Sequence, residues 1–285
     1  MSLLHEFYTL SNGIRMPKIG IGTYKLKAGQ EAYQAVLDAL TIGIRHIDSG
    51  IIYQNEQSVG QAIKDSGIPR ENVFITSKVP PHIKTYEGTL RMFEKSLLNL
   101  GVDYIDLYII NAPTPLHDVG GNYDVANLEV FRALEYLYQE ERVAAIGVSQ
   151  FQIKDIENIV MNNHITPHVQ QISFFIGHTQ QELVSYCNKH QIQIQAFSPL
   201  AKGYLLNNPI LTDMAKRYGK SQAQLALKYV IQKGVAPIPK SSNKEHLLSN
   251  TQLDFEIHHS DMLILDDIID DPRVFDDVVT HKTSR

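Results

Sequence analysis

Eight short, β-like apolar runs alternate with amphipathic stretches along this chain, and that alternation restricts its fold more than any other feature. The runs cover residues 19–22, 45–48, 73–78, 104–110, 144–149, 168–173, 192–197 and 236–239. Stretches with helical spacing lie between them, at 30–42, 57–66, 85–100, 128–139, 153–161, 180–190 and 221–232. In 85–100, Leu90, Phe93, Leu97 and Leu100 recur every three to four residues, the spacing of a core-facing helical stripe. Eight strand–helix alternations favour a closed barrel over an open sheet. An open dinucleotide-binding sheet would carry Gly-x-Gly-x-x-Gly between a strand and a helix. Here Gly20-Ile-Gly22-Thr-Tyr-Lys lacks the third glycine. Ahead of the first run, Asn12-Gly13 sits between two short apolar segments, a hairpin signal. The expected fold is α/β, a (β/α)8 TIM barrel with an N-terminal β-hairpin. No proline- or serine-rich linker divides the 285 residues, so one domain spanning 1–285 is expected.

Charge and cysteine content narrow the function. A net charge of −5 with no basic block argues against nucleic acid or an anionic membrane as partner. The single cysteine, Cys187, cannot form an intrachain disulfide and reads as a packed structural thiol. The first residues lack a basic segment followed by a long apolar one, and no apolar run approaches the roughly 20 residues that span a bilayer. A cytoplasmic protein is expected. With no apolar surface stripe evident, so is a monomer.

Three residues stand where β-like runs end: Asp48, Tyr53 shortly after it, and Lys78. Side chains at such positions meet over the mouth of a parallel barrel. A lysine ammonium beside a phenol favours the phenolate, drawing a pKa of about 10 toward the working range of an acid–base catalyst. An aspartate beside the lysine keeps it charged and in place. The trio reads as a tuned proton donor, although an Asp–Lys ion pair inside a barrel with a packed tyrosine would look the same.

Several blocks taken together resemble the aldo-keto reductase superfamily along nearly the whole chain. They are Gly22-Thr-Tyr, Asp48 with Tyr53-x-Asn-Glu56, Ile75-Thr-Ser-Lys78, Ile146-Gly-Val-Ser149-x-Phe151, Phe197-Ser-Pro-Leu200 and Ile238-Pro-Lys240-Ser241, in that order. The resemblance implies a TIM barrel that binds NADP(H) across its C-terminal face and reduces a small aldehyde or ketone to an alcohol. It implies Tyr53 as proton donor, with Lys78 lowering its pKa and Asp48 pairing with Lys78. Ser149, Gln150 and Gln171 would hold the nicotinamide carboxamide, and Phe197 would stack on the ring. Gly22 and Thr23 would approach the cofactor through their backbone. Ser198, Leu200 and Gly203 would cover the pyrophosphate. Lys240, Ser241, Ser242 and His246 would meet a 2′-phosphate, and Asn250 the adenine. Tyr24, Tyr53, Pro80 and Asn111 would line the substrate pocket.

This chain departs from the family pattern in four places. Ile110-Asn111-Ala112-Pro113 stands where His-Trp-Pro is usual. Asn111 can donate an amide N–H to a carbonyl oxygen but cannot transfer a proton. Asparagine also occupies this position in the potassium-channel β-subunits, slow reductases of the family. A barrel that binds nucleotide with little turnover, in a redox-sensing or structural role, is therefore the competing reading. The chain has no tryptophan, which implies a wider and less aromatic pocket. His246 replaces an arginine, whose bidentate fork and permanent charge suit a phosphate. That substitution implies weaker discrimination between NADP(H) and NAD(H). Ser173-Phe-Phe-Ile-Gly replaces Glu-Tyr-His-Pro.

Other polar groups read as structural. His164 and His168 have helical metal-site spacing, but Pro167 interrupts the helix. His258-His259 with Asp261, Asp266, Asp267, Asp270 and Asp271 lack the spacing of a calcium loop and read as a solvated acidic helix end. Asp103 and Asp106 fall at a strand start. No metal is expected.

Overall fold

The computed structural model describes residues 3–268 except 116 and 120. A hairpin, β1 (Phe7–Thr9) and β2 (Arg15–Pro17), precedes the barrel, with Gly13 in its turn at φ +86°. Glycine adopts that left-handed conformation without steric cost. Eight strands follow: β3 (Ile21–Gly22), β4 (His46–Asp48), β5 (Phe74–Val79), β6 (Ile105–Ile110), β7 (Val143–Ser149), β8 (Val169–Ser173), β9 (Gln193–Phe197) and β10 (Ala236–Pro237). Each pairs in parallel with the next. The ring closes where the Gly20 and Gly22 N–H groups donate to the Pro237 and Pro239 carbonyls, both at 3.1 Å. The expected (β/α)8 barrel with an N-terminal hairpin is what forms.

Between and after the strands lie α1 (Gln30–Ile42), α2 (Glu56–Asp65), α3 (Tyr86–Leu100), α4 (Asp124–Gln139), α5 (Ile153–Asn162), α6 (Gln181–Lys189), α7 (Pro209–Tyr218), α8 (Gln222–Gln232), α9 (Lys244–Thr251) and α10 (His259–Asp266). Their limits follow capping chemistry. Thr85 accepts from the Gly88 N–H at the start of α3, and Ser221 and Gln224 form a reciprocal capping box at the start of α8. Gly43 and Gly101, both left-handed, end α1 and α3. None of the described helices is long and apolar enough to cross a membrane.

Alternation within the strands divides the core into two parts. One set of side chains packs outward against the helices, as Ile47, Ile75, Tyr108, Ile110 and Ile146 do. The other fills the lower barrel, where Phe74, Leu107, Ile109, Ala145 and Val169 pack against Leu10 and Met16 of the hairpin. The hairpin thereby plugs the N-terminal mouth, and Asn12 Nδ2 ties it down by donating to the Ala144 carbonyl at 3.0 Å. With that end sealed by apolar packing, the polar residues near the strand C-termini open onto the other face.

Three helices, α7, α9 and α10, lie where no helix is expected from periodicity. In α10 the acidic residues are only partly solvated, contrary to expectation. Asp261 accepts from the Tyr218 hydroxyl at 2.6 Å and pairs with Arg217, while Asp266 pairs with Lys233 and Tyr229. Asp270 and Asp271 lie outside the described residues. His168 Nδ1 accepts from the Ile146 N–H at 3.0 Å, whereas His164 is exposed. Asp106 pairs with Arg70 and accepts from the Ile75 N–H, tying strands together at the barrel base.

Candidate active site

β4 ends on Asp48 and β5 carries Lys78 near its end, so both reach the open mouth from neighbouring strands. The Lys78 ammonium donates to Asp48 Oδ1 at 2.6 Å and to the Ser49 carbonyl at 2.7 Å, with the two side chains 1% and 4% exposed. Burial pulls the ammonium below its ordinary range, and the adjacent carboxylate opposes that pull. Tyr53 closes a short helical turn after β4. Its ring centroid lies 5.0 Å from Lys78 Nζ and 5.1 Å from the Tyr24 ring.

The expectation that Lys78 lowers the Tyr53 pKa fails in this arrangement. Burial comes first, then the Asp48 charge, and together they hold the phenol well above its ordinary value. Lys78 directs its donors to Asp48 and Ser49 and not to the phenol. Tyr53 is held protonated, the form a proton donor must start from.

A cavity of about 450 Å³ opens above this trio. Its walls include Gly22, Tyr24, Asp48, Tyr53, Asn111, Ser149, Gln150, Gln171, Phe197, Ser198, Leu200, Gly203 and Lys240. Asn111 directly follows β6 and is 8% exposed. Its N–H donates to the Val79 carbonyl and its own carbonyl accepts from Gln150 Nε2 at 3.2 Å. The backbone is thus fixed, and the residue lines the cavity. Gln150 uses its amide N–H on this backbone, a role the resemblance does not imply. Four non-glycine residues of the wall, Lys25, Gln150, Ser198 and Lys202, have φ of +63°, +62°, +49° and +53°. Backbone strain of this kind clusters where a surface is shaped for binding.

Deeper in the barrel, Gln171 Nε2 donates to Asp48 Oδ2 at 2.7 Å and to Gln195 Oε1 at 2.5 Å. Both amide N–H groups point down into the barrel, which leaves Oε1 as the acceptor Gln171 can offer the cavity. Ser149, registered opposite Gln171 on β7, is 2% exposed.

The remaining expected residues divide into two groups. Lys240 is exposed at the cavity wall, and Ser242 and His246 are exposed beyond it, around the start of α9. Ser241 is buried and its hydroxyl accepts from the Asn243 N–H, while Asn250 is 6% exposed on α9. Lys244 pairs with Asp38 at 3.3 Å. Thr23 is fully buried and does not line the cavity. Its hydroxyl donates to the Asp48 carbonyl and its own carbonyl accepts from Asn55 Nδ2 at 2.8 Å, so it braces the end of β4. Pro80 is buried and also lies outside the cavity wall.

Sequence reasoning misses Ile52, Pro199, Lys25 and Lys202 in the wall, for each lies on a loop or short helical turn with no periodic signal. It also misses a clamp under Asn111. Lys84 Nζ donates to the Ala112 carbonyl at 3.0 Å and to Asn127 Oδ1 at 2.8 Å, and Asn127 Nδ2 donates to the Pro113 carbonyl at 3.0 Å. Burial lowers the Lys84 pKa to about 8. Separations of 28 and 43 residues along the chain hide such a clamp from any local pattern.

The aldo/keto reductase family model matches residues 18–270. Glyoxal reductase of Bacillus subtilis (strain 168) is 42% identical over 272 residues, covering 95% of each chain. The uncharacterized oxidoreductase YtbE of the same organism is 43% identical over 271 residues, covering 93% of this chain and 94% of its own. A solved Bombyx mori aldo-keto reductase in complex with NADP superposes with a TM-score of 0.84 at 31% identity, covering 98% of this chain and 99% of its own. Fold, strand-end residues and full-length similarity agree, and the chain belongs to the aldo/keto reductase family of oxidoreductases.

Proposed function

We propose that this protein reduces a small aldehyde or ketone to the corresponding alcohol with NADPH, Tyr53 supplying the proton. The observation that carries this reading is that Tyr53 and Asn111 both line the cavity above the Lys78–Asp48 pair. The likeness to a reductase crystallised with NADP and to a glyoxal reductase supports it.

The residues present fit such a cofactor. Gln171 offers an acceptor, Ser149 a hydroxyl and Phe197 a π-face on one side of the cavity, which suits a pyridine carboxamide. Lys240 also lines the cavity, with Ser242 and His246 exposed after it, where a phosphate would be neutralised. When bound, the dihydronicotinamide supplies the hydride. As negative charge develops on the carbonyl oxygen, an N–H of Asn111 stabilises it and the Tyr53 hydroxyl donates its proton. Lys78 then lies 5.0 Å from the ring that has become phenolate and partly offsets its charge. Asp48 holds Lys78 in place throughout.

NADPH and NADH titrations, followed by steady-state oxidation of the preferred cofactor with a carbonyl panel that includes glyoxal, test the reading. Saturable NADPH binding with carbonyl-dependent oxidation supports it. Tight NADPH binding with no oxidation by any carbonyl would replace it with the nucleotide-binding, low-turnover reading that Asn111 motivates.

A further inference from the structure

The barrel interior continues the site downward in a buried polar chain. It runs from Asp48 through Gln171 and Gln195 to His46 and Thr76, and every member is 0–3% exposed. We propose that Gln195, backed by His46, is a positioning residue that locks the Gln171 amide with its carbonyl oxygen toward the cavity, so that the site selects the N–H of a pyridine carboxamide. The inference rests on the nicotinamide reading and adds to it the residues that set the polarity of recognition.

An amide can present either end, and its partners decide which. Asp48 can only accept, and it takes one Gln171 N–H through Oδ2 while Oδ1 holds Lys78. Gln195 Oε1 takes the other. Gln195 is held in turn by His46, whose Nε2 lies 3.2 Å from Gln195 Nε2 and serves as its acceptor in the Nδ1-protonated tautomer. Thr76 Oγ1, 3.0 Å away, faces the same nitrogen. With Nε2 accepting, the neutral imidazole carries its proton on Nδ1. Burial keeps the ring neutral by lowering the His46 pKa to about 3. Turning Gln171 over would set its Oε1 against the Asp48 carboxylate, and turning Gln195 over would set its Oε1 against Gln195's lone-pair partner on His46. With each group desolvated, such acceptor–acceptor contacts are costly.

The test compares three ligands on the parent and on Gln195→Leu by direct binding measurement. They are NADP+, its 3-acetylpyridine analogue, which carries a methyl group in place of the carboxamide NH2, and adenosine 2′,5′-bisphosphate, which lacks the pyridine. The parent should prefer NADP+ over the analogue by about tenfold, the value of roughly one hydrogen bond. In Gln195→Leu, NADP+ should weaken by about that factor and the preference should collapse, while the bisphosphate moves less than about twofold. Gln195→Met serves the same comparison if the leucine variant does not fold. An unchanged preference, or equal weakening of all three ligands, overturns the lock. A parent that binds no NADP+ overturns the nicotinamide reading, and the lock with it.

Discussion

Lys78 commits its ammonium to Asp48 and the Ser49 carbonyl in a site almost closed to solvent, so its first effect is on stability. Removing one partner of a buried ion pair leaves the other charge uncompensated, at a cost of about 3–5 kcal/mol. Lys78→Met should lose that much in a denaturant titration, whereas Tyr53→Phe, which removes one hydroxyl at the cavity wall, should unfold within about 1 kcal/mol of the parent. Asn111 raises a question of rate instead. Its amide can bind a developing oxyanion but cannot relay a proton. If the missing imidazole limits turnover, Asn111→His should raise kcat by about tenfold or more in steady-state assays. An unchanged kcat would place the limit at cofactor release or a loop motion.

Among the elements, the segment after β6 depends on side chains from two other parts of the chain. Lys84 and Asn127 hold the Ala112 and Pro113 carbonyls, and these fix where Asn111 points. Lys84→Met should lower kcat by about tenfold and leave NADPH affinity within about twofold, because the clamp lies beneath the carbonyl-binding amide and away from Gln171. Lys84→Arg, which keeps the charge and the donors, should recover part of the loss. The eight strands are legible because each is a short apolar run bounded by breakers, and the helices from α1 to α6 and α8 because their apolar positions recur at helical spacing. The α7 helix carries its signals at the ends, in Asn208-Pro209 and Gly219, and not in a clean stripe. The short α9 and α10 present no strong apolar face. In the site, Asp48, Tyr53, Lys78, Asn111, Gln171 and Phe197 are legible because strand ends and family motifs mark them. The Lys84 clamp and the Gln171–Gln195–His46 chain are not, since their hydrogen bonds join residues 24 to 149 positions apart.

The whole molecule carries its buried histidines neutral, and this sets its response to acid. Burial lowers the His46 pKa to about 3 and the His168 pKa to about 4, while both are about 6.5 in the unfolded chain. Between those values the unfolded state binds more protons, so stability falls as pH falls from about 6.5 toward 4. The loss from pH 7 to pH 5 should be about 2 kcal/mol for each histidine. Glu56, raised by burial, works in the opposite direction and softens the decline. His168→Asn keeps an acceptor for the Ile146 N–H without a titrating ring, so denaturant titrations at the two pH values should show a smaller loss than in the parent. The same desolvation holds Tyr53 protonated across neutral pH.

The central claim is that Tyr53 transfers a proton to a carbonyl oxygen while Asp48 and Lys78 hold the site around it. Single-turnover oxidation of bound NADPH by glyoxal, followed in the parent and in Tyr53→Phe, measures this most directly. The account predicts NADPH affinity within about twofold in both proteins and a slowing of about 10²–10⁴-fold in the variant. A Tyr53→Phe protein that oxidises NADPH as fast as the parent would contradict it.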